Sequence, residues 1–296
     1  MIRKLCAALV ALTLAACATA PREPQFPPNP ALFVARDTDS TMYLFGTLHI
    51  RRPGSPWGGA RAQAGLAEAE EVWTEMLISP ETDRQAQWLA IQYGAAEPGR
   101  PLSSYFSAEE YARIVEVAQR FGLQPQALEP MKPWLAGLTL SMMPMLQAGY
   151  DPQQGADRLI DAYADQHGKT QRAFEAAEQQ IQMLAGFSEE VQREMVLQTL
   201  DEVEAGGALM DTMATAWATG DLTTLERLVV SDMKAEYPEF YQGLLADRND
   251  AWVEVLDREL RGAGVDFVAV GAGHMLGADG VIAQLRARGY TVERVE

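Results

Sequence analysis

Two segments near opposite ends of the chain share one pattern: an apolar strand runs into a glycine and then reaches a histidine. The first is Thr41–His49, TMYLFGTLH, in which β-branched and aromatic residues precede Gly46. The second is Val265–His274, VDFVAVGAGH. Glycine permits a sharp exit and a close backbone approach. If the two strands are parallel in one sheet, both histidines emerge at the same edge, where open α/β sheets place their ligands.

The G-x-x-H spacing recurs more often than chance predicts. With three histidines and 24 glycines in 296 residues, about 0.24 such matches are expected at random. Two are present, and both follow predicted strands. The alternative interpretation is that both are capping histidines on loops and share no site. The third histidine, His167, precedes Gly168 and is interpreted as a histidine at a helix C-terminus that interacts with the helix dipole.

Both ends of the chain contain predicted strands, which favours an α/β fold. Residues 33–46 read as a hairpin, and 72–78, VWTEMLI, as a further core strand. Residues 265–295 read as strand, loop, helix and strand, an order that favours a parallel, right-handed crossover. We therefore predict a central mixed, mainly parallel sheet built from both ends of the chain.

The middle of the chain, about 80–262, is predicted to be a large helical insertion that caps the sheet. It contains capping motifs and apolar residues at helical spacing. A short strand candidate, KTQRAF at 169–174, interrupts it. Residues 31–296 are long enough for one large domain and are predicted to form a single one.

Residues 1–16 have the features of a lipoprotein signal peptide. Arg3 and Lys4 precede a short apolar core, which ends at Leu14-Ala15-Ala16-Cys17. This ending resembles the bacterial lipobox, in which the cysteine is lipidated and becomes the first mature residue, so Cys17 is the predicted lipidation site. The alternative is an ordinary secretory signal that is cut after a small residue. Residues 17–30 are rich in proline and are predicted to be an extended tether.

These features predict an exported lipoprotein that is anchored in the outer membrane and faces the periplasm. Ala18, which is not Asp, is typical of outer-membrane sorting. Removing Arg3 and Lys4 takes the net charge from −17 to −19, which argues against nucleic acid as a partner and against electrostatic binding to anionic lipid. Because Cys6 lies inside the signal, the mature chain keeps only Cys17 and forms no intramolecular disulfide. Nothing in the sequence indicates an oligomeric state.

Two carboxylates are candidate partners of the two histidines. Glu75 interrupts an apolar strand, where an unpaired carboxylate is costly to bury. It either ends that strand and faces a site, or faces water on an edge strand. Glu175 directly follows the short strand candidate. With His49 and His274, these carboxylates would make a reasonable first shell for a divalent transition metal such as manganese, cobalt or zinc.

Arg248 and Asn249 are candidate residues for the reaction itself. A metal with an open coordination position lowers the pKa of bound water and polarises a carbonyl. In such a site Arg248 would stabilise developing negative charge, and Asn249 would orient a substrate or water. Glu75 would then be a metal ligand or a general base.

Six short stretches distributed along the chain form a joint pattern that is more specific than any one of them. They are YLFGTLH at 43–49, VWTEM at 72–76, KPW at 132–134, FEAAEQQ at 174–180, RNDAW at 248–252 and VGAGHMLGADG at 270–280. Together they resemble the TraB/GumN family over essentially the whole mature body. The resemblance implies an α/β core with paired G-x-x-H motifs. The family itself is similar to Tiki-type metal-dependent proteases and, more distantly, to erythromycin esterases and ChaN-like haem-binding lipoproteins.

The resemblance also implies site residues and a function. The residues that carry over by motif position are His49, Glu75, His274, Arg248 and Asn249. Glu175 matches the family's Leu-Glu pair, although Phe174 precedes it and AFEA replaces the usual Gly-Leu-Glu-Thr. The implied function is a lipid-anchored, divalent-metal-dependent hydrolase of the cell envelope that acts on peptide bonds. The alternatives are a non-catalytic envelope lipoprotein that binds haem, metal or peptide in the same cleft, and a structural envelope protein with a relict site.

Overall fold

A computed structural model describes residues 29–54, 56–205 and 208–295 of the chain. The predicted signal peptide at 1–16, the lipidation site Cys17 and most of the predicted tether lie outside these ranges. The strands within them are β1 (Leu32–Arg36), β2 (Ser40–Thr47), β3 (Glu71–Thr74), β4 (Thr170–Ala173), β5 (Gly264–Gly271) and β6 (Thr291–Val295).

All of these strands belong to one mixed sheet in the order β4-β3-β5-β2-β1-β6. The pairs β4–β3, β3–β5 and β5–β2 are parallel, and β1 runs antiparallel to both β2 and β6. The strands come from the two ends of the chain, with the short β4 added from the middle. The predicted fold class is therefore confirmed: an α/β protein whose central sheet is mixed and mainly parallel.

Helices make up most of the chain between β3 and β5. The helices are α1 (Ala60–Glu68), α2 (Pro80–Gly94), α3 (Ala108–Arg120), α4 (Pro133–Gln147), α5 (Ala156–Gln166), α6 (Ala177–Gly186), α7 (Glu189–Glu204), α8 (Ala208–Thr219), α9 (Leu222–Glu226), α10 (Asp232–Glu236), α11 (Pro238–Tyr241), α12 (Asp247–Leu260) and α13 (Val281–Ala287). Two π-helical turns, Arg227–Ser231 and Gln242–Ala246, connect α9 to α10 and α11 to α12. Among the described residues, no helix is both long and apolar enough to cross a bilayer.

Apolar side chains pack on both faces of the sheet. Because successive residues of a strand point to opposite faces, Phe45 and Phe267 belong to one core cluster, and Leu44 and Val268 to the other. The Leu44 cluster also contains apolar residues of α12 and α13. The helical middle has a third cluster of its own, formed by residues such as Leu140, and this cluster gives the cap a separate core.

The structure shortens one predicted strand and thereby settles the position of Glu75. The sequence predicts a strand over 72–78, but β3 ends at Thr74. The Thr74 hydroxyl donates to the carbonyl of Met76 at 2.9 Å, and this bond holds the chain in a bend. Ser79 then caps α2 through a capping box with Thr82. The apolar run therefore contains a strand and its exit, and Glu75 is the first residue of that exit.

Candidate functional site

The carboxyl ends of four neighbouring strands meet at one edge of the sheet and carry the four predicted metal ligands. Thr47 of β2 pairs with Gly271 of β5, and Thr74 of β3 pairs with both Ala269 of β5 and Ala173 of β4. Just beyond these strand ends lie His49, His274, Glu75 and Glu175. Parallel pairing therefore brings together residues that are up to 225 positions apart in the sequence.

Arg248 lies at the centre of this cluster. Its Nη2 donates to Glu75 Oε2 at 2.6 Å, and its Nε donates to Glu175 Oε1 at 2.8 Å. The side chain is only 11% exposed, so both ion pairs are largely shielded from water. Arg248 stands in the first turn of α12, directly after the π-helical turn Gln242–Ala246, and its Nη1 donates to the carbonyl of Leu244 in that turn. Such π turns are frequent at functional sites.

Two carboxylates flank the His49 ring, one at each ring nitrogen. Its Nδ1 donates to Asp157 Oδ2 at 2.9 Å, and its Nε2 lies 3.5 Å from Glu75 Oε1. Desolvation of the ring would lower the pKa of His49, but the hydrogen bonds to Asp157 and Glu75 outweigh it and raise that pKa well above its usual value. His49 is 58% exposed, so solvent reaches this side of the site.

His274 is the buried counterpart of His49. Its Nδ1 lies 2.7 Å from Asn249 Oδ1, and the Asn249 amide is oriented because its Nδ2 donates to the carbonyl of Asp279. Since an amide oxygen only accepts, the ring proton is on Nδ1, and the Nε2 lone pair accepts a hydrogen bond from Arg248 Nη1 at 3.1 Å. That Nε2 lies 3.8 Å from Glu75 Oε1. Burial, above all, lowers the pKa of His274 to about 3, so the ring is neutral.

Glu75 is the point on which both histidines converge. Its Oε1 accepts from the backbone N–H of Gly271 at 2.8 Å and faces the Nε2 atoms of His49 and His274. Burial would raise the pKa of Glu75, but the hydrogen bond to His49 and the positive charges of His49 and Arg248 hold it well below its usual value. Glu75 is therefore an ionised carboxylate, the state that a metal ligand or a general base requires.

Glu175 and Asn249 have most of their hydrogen-bonding capacity engaged by protein groups. The Oε1 of Glu175 accepts from Arg248 Nε and from the indole N–H of Trp252 at 2.9 Å, and its Oε2 accepts from Arg248 Nη2. Asn249 is 1% exposed and contacts His274 and the Asp279 carbonyl. In this arrangement Glu175 positions the guanidinium and Asn249 positions His274. A ligand role for Glu175 and a substrate contact for Asn249 stay predictions.

The donor set at this edge suits a divalent transition metal. Two donors at about 2.1 Å from one ion in tetrahedral geometry lie about 3.4 Å apart. The distances of 3.5 Å and 3.8 Å between Glu75 Oε1 and the two Nε2 atoms are close to that value. Gly271 leaves space between the donors, since a Cβ there would lie 3.1 Å from both Glu75 Oε1 and His49 Nε2.

The positive charge of Arg248 disfavours a cation between these donors, because its guanidinium contacts the Nε2 of His274. Within the described ranges, no three or more His, Cys, Asp and Glu side chains form a ready-made metal-binding group. The metal thus stays a prediction, which the chemistry of the donors supports.

The sequence alone did not identify Asp157 and Trp252. Asp157 is an acidic residue in the first turn of α5, a common feature of helices, so nothing in the sequence separates it from other acidic residues there. Trp252 lies one turn after Arg248 on α12, and their spacing places the two side chains on one helix face. The guanidinium carbon lies 4.7 Å from the indole centroid. The four-residue spacing of Arg248 and Trp252 within RNDAW could therefore have indicated from sequence that the two side chains lie together.

The fold and the site together define a class: an α/β protein with two histidines and a carboxylate at the carboxyl edge of its parallel strands, where an arginine of helix α12 pairs with that carboxylate. The model of the TraB/PrgY/gumN family matches residues 31–294, and the chain belongs to that family. The resemblance that the motifs suggest is thereby confirmed. A comparison with curated proteins gives no match.

Proposed function

We propose that this protein is a divalent-metal-dependent hydrolase whose target is the peptide bond. The observation that carries the proposal is the shared orientation of the two imidazoles. His49 and His274 each donate the Nδ1 proton to an oxygen, of Asp157 and Asn249 respectively, and each directs Nε2 towards the same oxygen of Glu75. Oxygen acceptors that fix a histidine in this way are typical of metal-binding histidines.

Each residue of the site would have its own role in the proposed hydrolysis. A metal held by His49, His274 and Glu75 would supply a Lewis acid and lower the pKa of a bound water. Glu75 serves either as its third ligand or as the general base that takes a proton from water. Arg248 would stabilise negative charge on a carbonyl oxygen through the Nη1 N–H that contacts His274 Nε2 in this structure, because Glu75, Glu175 and the Leu244 carbonyl hold its other N–H groups.

Calorimetric titration with manganese, cobalt and zinc tests the metal site directly. The wild type should bind at least one of these ions, and a His49→Ala/His274→Ala double variant should not. His167→Ala is the matched control, because the ring of His167 contacts Tyr163 and lies outside the site. Equal affinity in the wild type and the double variant would overturn the proposal.

Glu75→Gln separates the two roles of that carboxylate. As a general base, Glu75 would be needed for turnover but not for metal binding; as a ligand, it would be needed for both.

Arg248→Lys should reduce turnover strongly even though the charge is kept, because an ammonium cannot reproduce the paired contacts of a guanidinium with Glu75 and Glu175. Turnover in Arg248→Lys that equals the wild type would remove Arg248 from the mechanism.

Binding without turnover is the second candidate function. The observation that favours it is that Arg248 already pairs with both Glu75 and Glu175, so neither carboxylate is free of a cationic partner. In that case the cleft would hold haem, a metal or a peptide without reaction. Retention of one of these ligands by purified protein, with no hydrolysis of any peptide or ester, would favour this candidate.

We also propose that a lipid on Cys17 anchors the protein to the outer membrane. The support is the Leu14-Ala15-Ala16-Cys17 motif after a short apolar run. Cys17→Ser should abolish membrane retention and cleavage at that point. Fractionation of Cys17→Ser with the outer membrane at the wild-type mature mass would contradict the anchor.

A further inference from the structure

The guanidinium of Arg248 has five N–H groups, and every one of them has an acceptor in this structure. Two donate to the carboxylate oxygens of Glu175, at 2.8 Å and 3.0 Å. A third donates to Glu75 Oε2 at 2.6 Å, and a fourth to the Leu244 carbonyl at 3.0 Å. The fifth, on Nη1, donates to His274 Nε2 at 3.1 Å. Because Glu75 keeps its other oxygen, Oε1, for the two histidines, only this fifth contact takes up a nitrogen of the proposed metal site.

The Nε2 atom of His274 has a single lone pair to offer. The ring proton lies on Nδ1, because Asn249 Oδ1 accepts it and the Asp279 carbonyl fixes the orientation of that amide. The His274 side chain is 5% exposed, and its ring packs on the indole of Trp252 with centroids 4.3 Å apart, so the ring is held in one orientation. The lone pair can therefore serve Arg248 or a metal ion, but not both at once.

We propose that Arg248 controls the loading of the metal site, because its Nη1 N–H and a divalent cation compete for the same lone pair of His274. This inference rests on the proposed function, which requires the metal. When a cation takes the lone pair, one Nη1 N–H loses its acceptor while Glu75 and Glu175 still hold the rest of the guanidinium. The N–H that is released is the one that would stabilise a carbonyl oxygen, so loading of the site makes this donor available.

Arg158 allows the effect of contact to be separated from the effect of charge. It lines a cavity of about 260 Å³ together with His49 and Glu75, and its guanidinium pairs with Asp83 at 2.7 Å. Both arginines disfavour a nearby cation through their positive charge. Of the two, only Arg248 contacts a histidine nitrogen in the described part of the chain. The same substitution at both positions therefore isolates the contribution of that contact.

Arg248→Lys keeps the charge and removes the contact. Lysine has one terminal nitrogen, which cannot contact Glu75, Glu175 and His274 together, so the carboxylates should retain it. The probe is zinc, titrated by calorimetry into the wild type, Arg248→Lys and the matched control Arg158→Lys. We expect Arg248→Lys to bind zinc about tenfold more tightly than the wild type, which is the effect of one hydrogen bond, and Arg158→Lys to bind it as the wild type does. Tighter zinc binding together with reduced turnover would distinguish this role from general damage to the site.

Arg248→Gln removes the charge as well as the contact. Arg158→Gln measures what the loss of one positive charge contributes by itself, and Arg248→Gln should bind zinc about tenfold more tightly than Arg158→Gln does. Thermal melts establish which variants fold. Since Arg248→Gln leaves Glu75 and Glu175 without their cationic partner, the two lysine variants decide the test where Arg248→Gln does not fold.

The outcomes separate this inference from the proposed hydrolysis. Equal zinc affinity in Arg248→Lys and the wild type, or in Arg248→Gln and Arg158→Gln, would overturn the inference, while zinc binding by the wild type would leave the proposed function standing. Tighter binding by Arg248→Lys, in a protein that hydrolyses no peptide, would support the inference although the hydrolytic function fails. Zinc binding by neither the wild type nor the Arg248 variants would overturn both.

Discussion

Gly271 has no side chain at the point where His49 and Glu75 approach each other. Its backbone angles, φ −47° and ψ 137°, suit any residue, so alanine there introduces no backbone strain. The added Cβ would nevertheless lie 3.1 Å from both Glu75 Oε1 and His49 Nε2. We expect Gly271→Ala to weaken metal affinity by about tenfold or more and to change Tm by less than about 3 °C, as measured by calorimetric titration and thermal melts.

The control for this substitution is Gly186→Ala. A Cβ at Gly186, the last residue of α6, meets no atom within 4 Å and should leave metal affinity unchanged. If Gly271→Ala binds metal as tightly as Gly186→Ala does, the ion does not occupy the space beside Gly271.

The two site histidines should titrate far apart, and NMR can follow them because the chain has three histidines. His49 should lose its proton well above the usual histidine pKa, and His274 should stay neutral down to about pH 3. Asp157→Asn removes a carboxylate that stabilises the His49 imidazolium, so the pKa of His49 should fall. The His167 resonance is the internal control, since its ring is outside the site. An unchanged pKa of His49 in Asp157→Asn would mean that Asp157 does not stabilise the His49 imidazolium.

Metal affinity should follow the same protonation. A cation needs neutral imidazoles, so protons compete with it whenever the pH is below the pKa of a ligand histidine. A histidine with an ordinary pKa would place this competition at about pH 6.5. Because the pKa of His49 is raised, affinity should already fall as the pH drops below that higher value, while His274 adds no competition until about pH 3. Calorimetry across a pH series measures this, and an affinity that is flat above pH 6.5 would contradict it.

The residues that could be predicted from sequence are those whose position along the chain fixes their position in space. His49 and His274 follow strands that are parallel neighbours, so the carboxyl edge brings them together. Asp157 reaches His49 only because α5 packs with its first turn at that edge, and no local pattern encodes this placement. The contacts of Arg248 with two carboxylates likewise depend on how α12 approaches the sheet.

At the scale of elements, the strand and helix types were predictable, whereas the ends of elements depend on contacts that are not local. β3 stops at Thr74 although apolar residues continue to Ile78, because the Thr74 hydroxyl bonds to Met76 and Ser79 starts α2. Arg248 directly follows the π-helical turn Gln242–Ala246, which joins α11 to α12 without a break. Such a turn has no signature in residue spacing.

The separate core of the helical cap can be tested on α4. Leu140 is 0% exposed and packs in the cap cluster, while Leu138 on the same helix is 43% exposed. Leu140→Ala leaves a cavity and should lower the free energy of unfolding by about 2–4 kcal/mol. Leu138→Ala is the matched control and should cost less than about 1 kcal/mol. Urea unfolding gives both values, and equal losses would show that the cap core is not closely packed around Leu140.

At the scale of the whole molecule, the two ends of the chain are joined through the sheet. β6 pairs with β1 over five residue pairs, from Leu32 with Val295 to Arg36 with Thr291. Val292 is 5% exposed within the core cluster that contains Phe33, and the Arg286 guanidinium donates to the Val292 carbonyl. Because its first and last strands pair with each other, the sheet should not form fully until both β1 and β6 are in place, so folding is predicted to be cooperative across the sheet.

Deletion of residues 291–296 should therefore destabilise the whole sheet, although the site lies beyond the ends of other strands. The deletion leaves β1 as an edge with unpaired N–H and C=O groups, which favours association between chains. It also uncovers the apolar surface around Phe33. We expect a loss of several kcal/mol, roughly the burial of one large apolar side chain plus the paired backbone, together with oligomers in size-exclusion chromatography. Deletion of Glu296 alone is the control and should behave as the wild type. A monomeric 291–296 deletion with unchanged Tm would show that the sheet does not depend on its C-terminal strand.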